Sequence, residues 1–188
     1  LHAKTIGLPL NRHVTLHLES AGVHDNVAAV VIGRFLALAR DWLRKRGMRT
    51  AWVWVRENGD GKGSHVHILL HVPRAAPWAS WRMIRWFKLA TGQPYSTGAM
   101  NSERIGGTAN ASVSAPEHYQ ANLAAVVGYL LKGASPDAVH ALRLERLEPG
   151  GTVIGKRAGW SENIGQAARA AFAKTAMDSQ GAGSSLGL

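Results

Sequence analysis

The sequence contains no cysteine. That excludes a disulfide scaffold, an iron–sulfur cluster and a thiolate zinc site, so any metal must be held by imidazole and carboxylate. Acid is scarce too: 12 Asp and Glu stand against 22 Lys and Arg, a formal charge of +10 on 188 residues. Long hydrophobic runs are missing. The longest, Val27 to Gly33, stops at Arg34 and is far too short to cross a bilayer, so no membrane partner is expected. The first residues, with His2, Lys4 and Asn11 around Pro9, do not read as a signal peptide. The Leu at position 1 is read as the trace of a lost or trimmed upstream start. With 46% apolar residues the chain can bury a real core. We expect a soluble, cytoplasmic, monomeric protein with one domain over 1–175 and a flexible tail over 176–188.

What is present is positive charge, unevenly placed. Residues 34–88 carry twelve Lys or Arg and three acids. "RDWLRKRGMR" (Arg40 to Arg49) and "WRMIRWFK" (Trp81 to Lys88) alternate cations with indoles. Cations neutralise phosphates and indoles stack on unpaired bases, so nucleic acid is the expected partner. Arg44, Lys45, Arg46, Arg49, Arg82, Arg85 and Lys88 are the candidate contacts, and Trp42, Trp52, Trp54, Trp78, Trp81 and Trp86 the candidate platforms. The competing reading makes each Trp core and each charge run a solvated helix face.

Hydrophobic periodicity supplies the elements. "RHVTLHL" (12–18) alternates as a strand. Asp25 can cap a helix to about Arg46, with Val27, Val31, Leu38 and Trp42 as its apolar stripe and Gly47 as its stop. Residues 49–57 and 65–72 read as two strands of a hairpin around the turn-rich "NGDGKGS" (58–64). A helix follows over Trp78 to Ala90, then a loop over 92–115 with one short strand. Pro116 opens a helix reaching Gly133. A last strand is expected over 150–157 and an Ala-rich helix over 161–175. The pattern predicts an α+β sandwich, a central antiparallel sheet with flanking helices.

The sharpest chemical signal is His65-Val66-His67. Side chains two apart on a strand share a face. If the hairpin is symmetric about Gly61, Glu57 lies opposite His65, on that same face. Two imidazoles and one carboxylate with coordination positions left open suit a divalent Lewis acid. His71 has the same parity but lies farther along, as an outer partner, a DNA-facing group or a surface residue. The second signal is Tyr129 and Lys132, neighbours on a helix surface.

Taken together, these motifs resemble the HUH endonucleases: a hydrophobic residue between two histidines, an acid eight residues upstream and a later Tyr-x-x-Lys. The order of histidines before tyrosine is similar to rolling-circle replication initiators, whereas relaxases place the tyrosine first. "HVTLHLE" (13–19) is similar to the family's first motif, and the resemblance spans roughly residues 10–135. It implies a ferredoxin-like or RRM-like fold. It also implies Mg²⁺ or Mn²⁺ on Glu57, His65 and His67, and a bacterial, for example plasmid, setting. The implied reaction is nicking and joining of single-stranded DNA or an origin hairpin, through a covalent 5′-phosphotyrosine on Tyr129 assisted by Lys132.

Related single-tyrosine transposases take a third ligand four residues after the tyrosine, where this chain has Gly133, and that favours Glu57 and replication. Tyr119 lies ten residues before Tyr129, about 15 Å along a helix and turned away from it, so one nucleophile is expected. "GGTVIGKR" (150–157) nearly spells a P-loop, but Arg157 replaces the Ser or Thr that would hold Mg²⁺. Lys156 and Arg157 are instead candidate DNA contacts. Two alternatives stay open, a non-catalytic nucleic-acid module on the same fold and a transposase- or relaxase-type enzyme. A cupin-like metalloenzyme would want a Glu shortly after His67, and Ile68 to Val72 contains none.

Overall fold

A computed structural model describes residues 2–59, 61–134, 140 and 151–183. The strands are β1 (Arg12–His17), β2 (Trp52–Gly59), β3 (Gly63–Leu70), β4 (Met100–Arg104) and β5 (Ala158–Trp160). They form one antiparallel sheet in the order β4-β1-β3-β2-β5. The helices are α1 (His2–Thr5), α2 (Asp25–Arg44), α3 (Ser80–Thr91), α4 (Ala111–Ser114), α5 (Pro116–Leu130) and α6 (Gln166–Gly183). The last of these runs past residue 175, where the sequence pattern ends it. From β1 to β4 the order is β-α-β-β-α-β, the ferredoxin-like arrangement, and the fold is the expected α+β one. Among the described residues no helix is long and apolar enough to cross a membrane.

The pleat divides the sheet into two unlike faces. Val14, Leu16, Trp54, Val66, Ile68 and Leu70 point to one side, where α2 and α3 cover them. Helix α2 buries Ala28, Val31, Ile32, Phe35, Leu36, Ala39 and Leu43, the three-and-four spacing of a single helix face. That stripe is offset from the expected one, and Val27 is exposed. The tryptophans mostly belong to this layer. Trp42, Trp78 and Trp86 meet edge to face, and Arg46 and Arg82 lie over the two sides of Trp42 at 4.2 and 4.3 Å. Trp54 is buried beneath the edge strand. A Cβ at Gly159 would come within 2.7 Å of the Trp54 ring, so β5 can close there only as glycine. The platform reading is thus corrected for Trp42, Trp54, Trp78 and Trp86, which build the core; Trp81 stays exposed.

Opposite this layer, α5 packs Tyr119, Leu123, Val126 and Leu130 onto Leu69, Val53 and Val55. Val126 rather than the neighbouring Val127 completes this stripe.

Three further expectations are revised. The hairpin strands continue to Gly59 and Gly63, leaving a shorter turn than 58–64. The last strand starts at Ala158, while 152–157 runs irregularly beside β2, with Asn58 donating to the Thr152 carbonyl; residue 150 lies outside the described residues. No helix follows Lys156 directly, so the P-loop resemblance has no structural counterpart. Asp25 is not the cap of α2. His24 holds that position, and the Asp25 carboxylate serves Arg56.

Arg56 is fully buried among apolar neighbours. Its guanidinium donates to the Ile154 and Lys156 carbonyls, each at 3.1 Å, and to the Asp25 carbonyl and carboxylate. Asp25 also accepts from Ser64 Oγ and the Ile154 N–H. Burial would raise the Asp25 pKa, but the bonds from Ser64, Ile154 and Arg56 outweigh it and hold the carboxyl below its ordinary 3.8. Removing one partner of a buried pair costs about 3–5 kcal/mol, because the other charge is stranded. Asp25→Ala should therefore lose about that much in urea unfolding at pH 7. A carboxyl held below its unfolded pKa contributes fully above that value and loses the contribution as pH falls through the lowered one. The gap between wild type and variant should accordingly be constant near neutrality and narrow below about pH 4. A gap under 1 kcal/mol at pH 7 would count against the clamp.

Candidate metal centre

The centre is built on the hairpin. In the β2–β3 pairing Glu57 faces His65 and Val55 faces His67, the register expected from a turn centred on Gly61. All three side chains are buried. One ligand atom from each lies within 4.8 Å of the other two, and Glu57 Oε2 is 3.4 Å from His65 Nε2.

Each ring is oriented from behind. His65 Nδ1 donates to the Gly63 carbonyl at 2.8 Å, which leaves the Nε2 lone pair for the centre. Gly63 has φ +60°, and a Cβ there would strike the Glu19 carboxylate, which accepts from the Ser64 N–H. His67 Nδ1 lies 3.1 Å from Thr15 Oγ1 and 3.2 Å from His13 Nε2, both from β1 and both on this face. Burial, then the neighbouring His65 and His13, pull the His67 pKa down to about 3, so its imidazole is neutral. For Glu57, burial opposes ionisation, but the bond to His65 and the charge of Lys132 prevail and lower its pKa. The donor set is therefore two neutral imidazoles and a carboxylate. His67 Nε2 and Glu57 Oε1 are buried and have no hydrogen-bond partner. An unpaired buried polar atom is costly, and a cation bound by these two atoms would satisfy both. The residues fit a divalent metal.

Tyr129 and Lys132 close the centre. The Tyr129 ring meets His67 edge to face, centroids 5.2 Å apart. Lys132 lies in the turn after α5, with Nζ 3.4 Å from Glu57 Oε2 and 4.0 Å from the Tyr129 ring centroid. The five site residues of the sequence pattern thus come together. Tyr119 does not join them: it is buried, and its hydroxyl donates to the Leu10 carbonyl at 2.9 Å. Nor does His71, whose Nδ1 donates to the Pro9 carbonyl at 2.8 Å.

The remaining candidates lie elsewhere. Arg44, Lys45, Arg46, Arg49, Arg82, Arg85 and Lys88 belong to the α2–α3 layer, across the sheet from the centre, and all but the part-buried Arg82 are exposed. Lys156 and Arg157 are exposed on the approach to β5. The sequence pattern does not single out His13 and Thr15 as partners of His67. Their alternation on β1 is visible in it, but the strand they pair with is not.

Residues 11–133 match a family model, that of the replication-associated protein ORF2. The chain belongs to that family. The matched span begins just before β1 and ends just past Lys132, so it contains every residue of the centre. No curated protein and no solved structure matches the chain.

Glu57→Ala, His65→Ala and His67→Ala should each abolish Mn²⁺ binding in calorimetric titration while leaving the far-ultraviolet spectrum unchanged. Thr15→Val should weaken binding roughly 10–100-fold, the usual cost of losing a group that orients a ligand. His71→Ala should bind as wild type does. Tight Mn²⁺ binding by the Glu57 variant would remove the carboxylate from the site.

Proposed function

We propose that this family member is a metal-dependent single-stranded DNA endonuclease and strand transferase of the single-tyrosine HUH type, acting at an origin to start rolling-circle replication. The observation that carries the reading is the contact of Tyr129 and Lys132 with the Glu57–His65–His67 set. A replication-associated family supports DNA as the substrate. Position 133 has no donor and Glu57 supplies one, which supports an initiator over a transposase.

Mg²⁺ or Mn²⁺ held by Glu57, His65 and His67 would lend Lewis acidity to the scissile phosphodiester and its leaving oxygen. The chain's own residues do the rest. Tyr129 Oη attacks phosphorus as the bond to the 3′ oxygen breaks. The phenol proton is lost and the departing oxygen gains one, so one phosphodiester is exchanged for another and the step is reversible. A neutral phenol is a weak nucleophile. Lys132, whose ammonium lies over the ring, favours the phenolate and offsets phosphate charge as the two anions approach. The rigid end of α5 sets the direction of attack.

Incubation of wild type with labelled single-stranded DNA and Mn²⁺ should give a protein–DNA adduct on a denaturing gel. Tyr129→Phe should bind DNA and Mn²⁺ normally and give none. Lys132→Ala should slow formation about 100-fold or more. Tyr119→Phe should still form the adduct, with stability lower by about 1 kcal/mol for its lost hydrogen bond. An adduct mapped to Tyr119 or Tyr95 refutes the assignment, and binding with no adduct from wild type makes the chain a non-catalytic module.

The basic α2–α3 layer is assigned to flanking DNA rather than to the scissile step. Charge-reversing Arg44, Arg49 or Lys88 should lower affinity and flatten its dependence on log salt, with the cleavage rate at saturation unchanged. Salt-independent affinity in wild type would refute this.

A further inference from the structure

At the end of the sheet remote from the hairpin turn lies a small pocket of about 60 Å³, framed by the start of β1, the β3–α3 connection and the end of β4. Its lining includes Arg12, Arg74, Arg104 and Trp78 and no acid. Arg12 and Arg104 are directly opposed across β1 and β4, a placement in which like charges destabilise the pair. Neither they nor Arg74 makes an ion pair among the described residues. The nearest acid in sequence, Glu103, is opposite His13 on the other face and accepts from Asn101 at 2.8 Å. Arg12 Nε is buried without a hydrogen-bond partner.

The walls are fixed independently of the arginines. Asn11 is buried. Its side chain donates to the Val72 carbonyl and accepts from the Val72 N–H at 2.9 and 2.8 Å, and its backbone carbonyl accepts from the Ile105 N–H. Trp78 is held against Trp42 and Trp86. Three guanidiniums therefore converge on a preformed space with nothing to offset them, and burial together with Arg104 pulls the Arg12 pKa down. Cations arranged at a cost to the fold need a ligand that repays it. The space suits one tetrahedral oxyanion and not a base.

We propose that Arg12, Arg74 and Arg104 form a phosphate-binding site, and that it holds a backbone phosphate of the DNA strand outside the scissile position. The oxyanion chemistry follows from the pocket; the strand as its source rests on the DNA reading above.

The exposed Arg104 provides the test. Arg104→Gln should melt higher than wild type at low ionic strength, because repulsion with Arg12 is relieved. Inorganic phosphate should raise the melting temperature of wild type and not of the variant. In anisotropy titrations with a single-stranded oligonucleotide, both proteins carrying Tyr129→Phe so that no adduct forms, the slope of log affinity against log salt should fall by about 0.7 on loss of Arg104. A lower melting temperature for the variant, or no phosphate effect on wild type, overturns the site. A phosphate effect with an unchanged oligonucleotide slope overturns the strand as its source. If wild type forms no adduct while the slope still depends on Arg104, the nuclease reading falls and the site stands.

Discussion

Arg56 is the constraint on which the arrangement turns. A fully buried guanidinium tolerates no vacancy among its partners, and its partners come from three separated parts of the chain: the start of α2, the hairpin and the segment leading to β5. Its side chain points to the helix layer, so the adjacent Glu57 must point to the opposite face. The clamp thereby fixes which face of β2 carries the carboxylate. One residue of slip along β2 would bury Glu57 under α2 and expose a guanidinium at the metal centre. A single charged residue in the wrong layer would be fatal to both layers, and this is how the register is protected.

The centre depends on a second, electrostatic constraint. His13, His67, His65 and His17 form a row of rings along β1 and β3, each centroid within 5.8 Å of the next. Four protonated imidazoles at that spacing would repel one another strongly, and burial opposes their charging as well. The row is stable when its buried members are neutral, and neutral imidazole is the metal-binding form. Glu57 is the one carboxylate of the set, and Lys132 balances it when no other cation is there.

The centre is legible in the sequence because its elements are local. A hairpin with a Gly-rich turn nearly fixes its own register, so Glu57 opposite His65 follows from counting residues. Tyr129 and Lys132 are neighbours by helical spacing alone. The less legible contacts are long-range: Asp25 to Arg56, Thr15 and His13 to His67, and Arg12 opposite Arg104. Each needs the order of strands in the sheet, and alternation within one strand says nothing of its neighbour. Asp25 misleads for a related reason. Its position suits a helix cap, but a buried guanidinium from another strand competes for the same carboxylate and wins. The tryptophans are ambiguous in the same way, since an indole beside an arginine reads alike as a base platform and as core sealed by a guanidinium. Burial decides between the two.

The two faces of the sheet impose different demands, and the position of α5 reconciles them. An RRM-like sheet with one bare face would present its histidines to bulk water, where their lone pairs are hydrated and ligand geometry is loose. A helix laid over the whole face would shut substrate out. Helix α5 covers only the Leu69 end, anchored by Tyr119, Leu123, Val126 and Leu130, and stops as it reaches His67. Its apolar stripe supplies the adhesion, while Tyr129 beside that stripe and Lys132 just beyond the helix supply the polar contact with the centre. Because the helix ends there, the nucleophile stands on a rigid element while the groups around it stay within reach of a strand of DNA. This geometry explains why the tyrosine has to follow the histidines by a whole helix: the sheet must be complete before α5 has a surface to lie on.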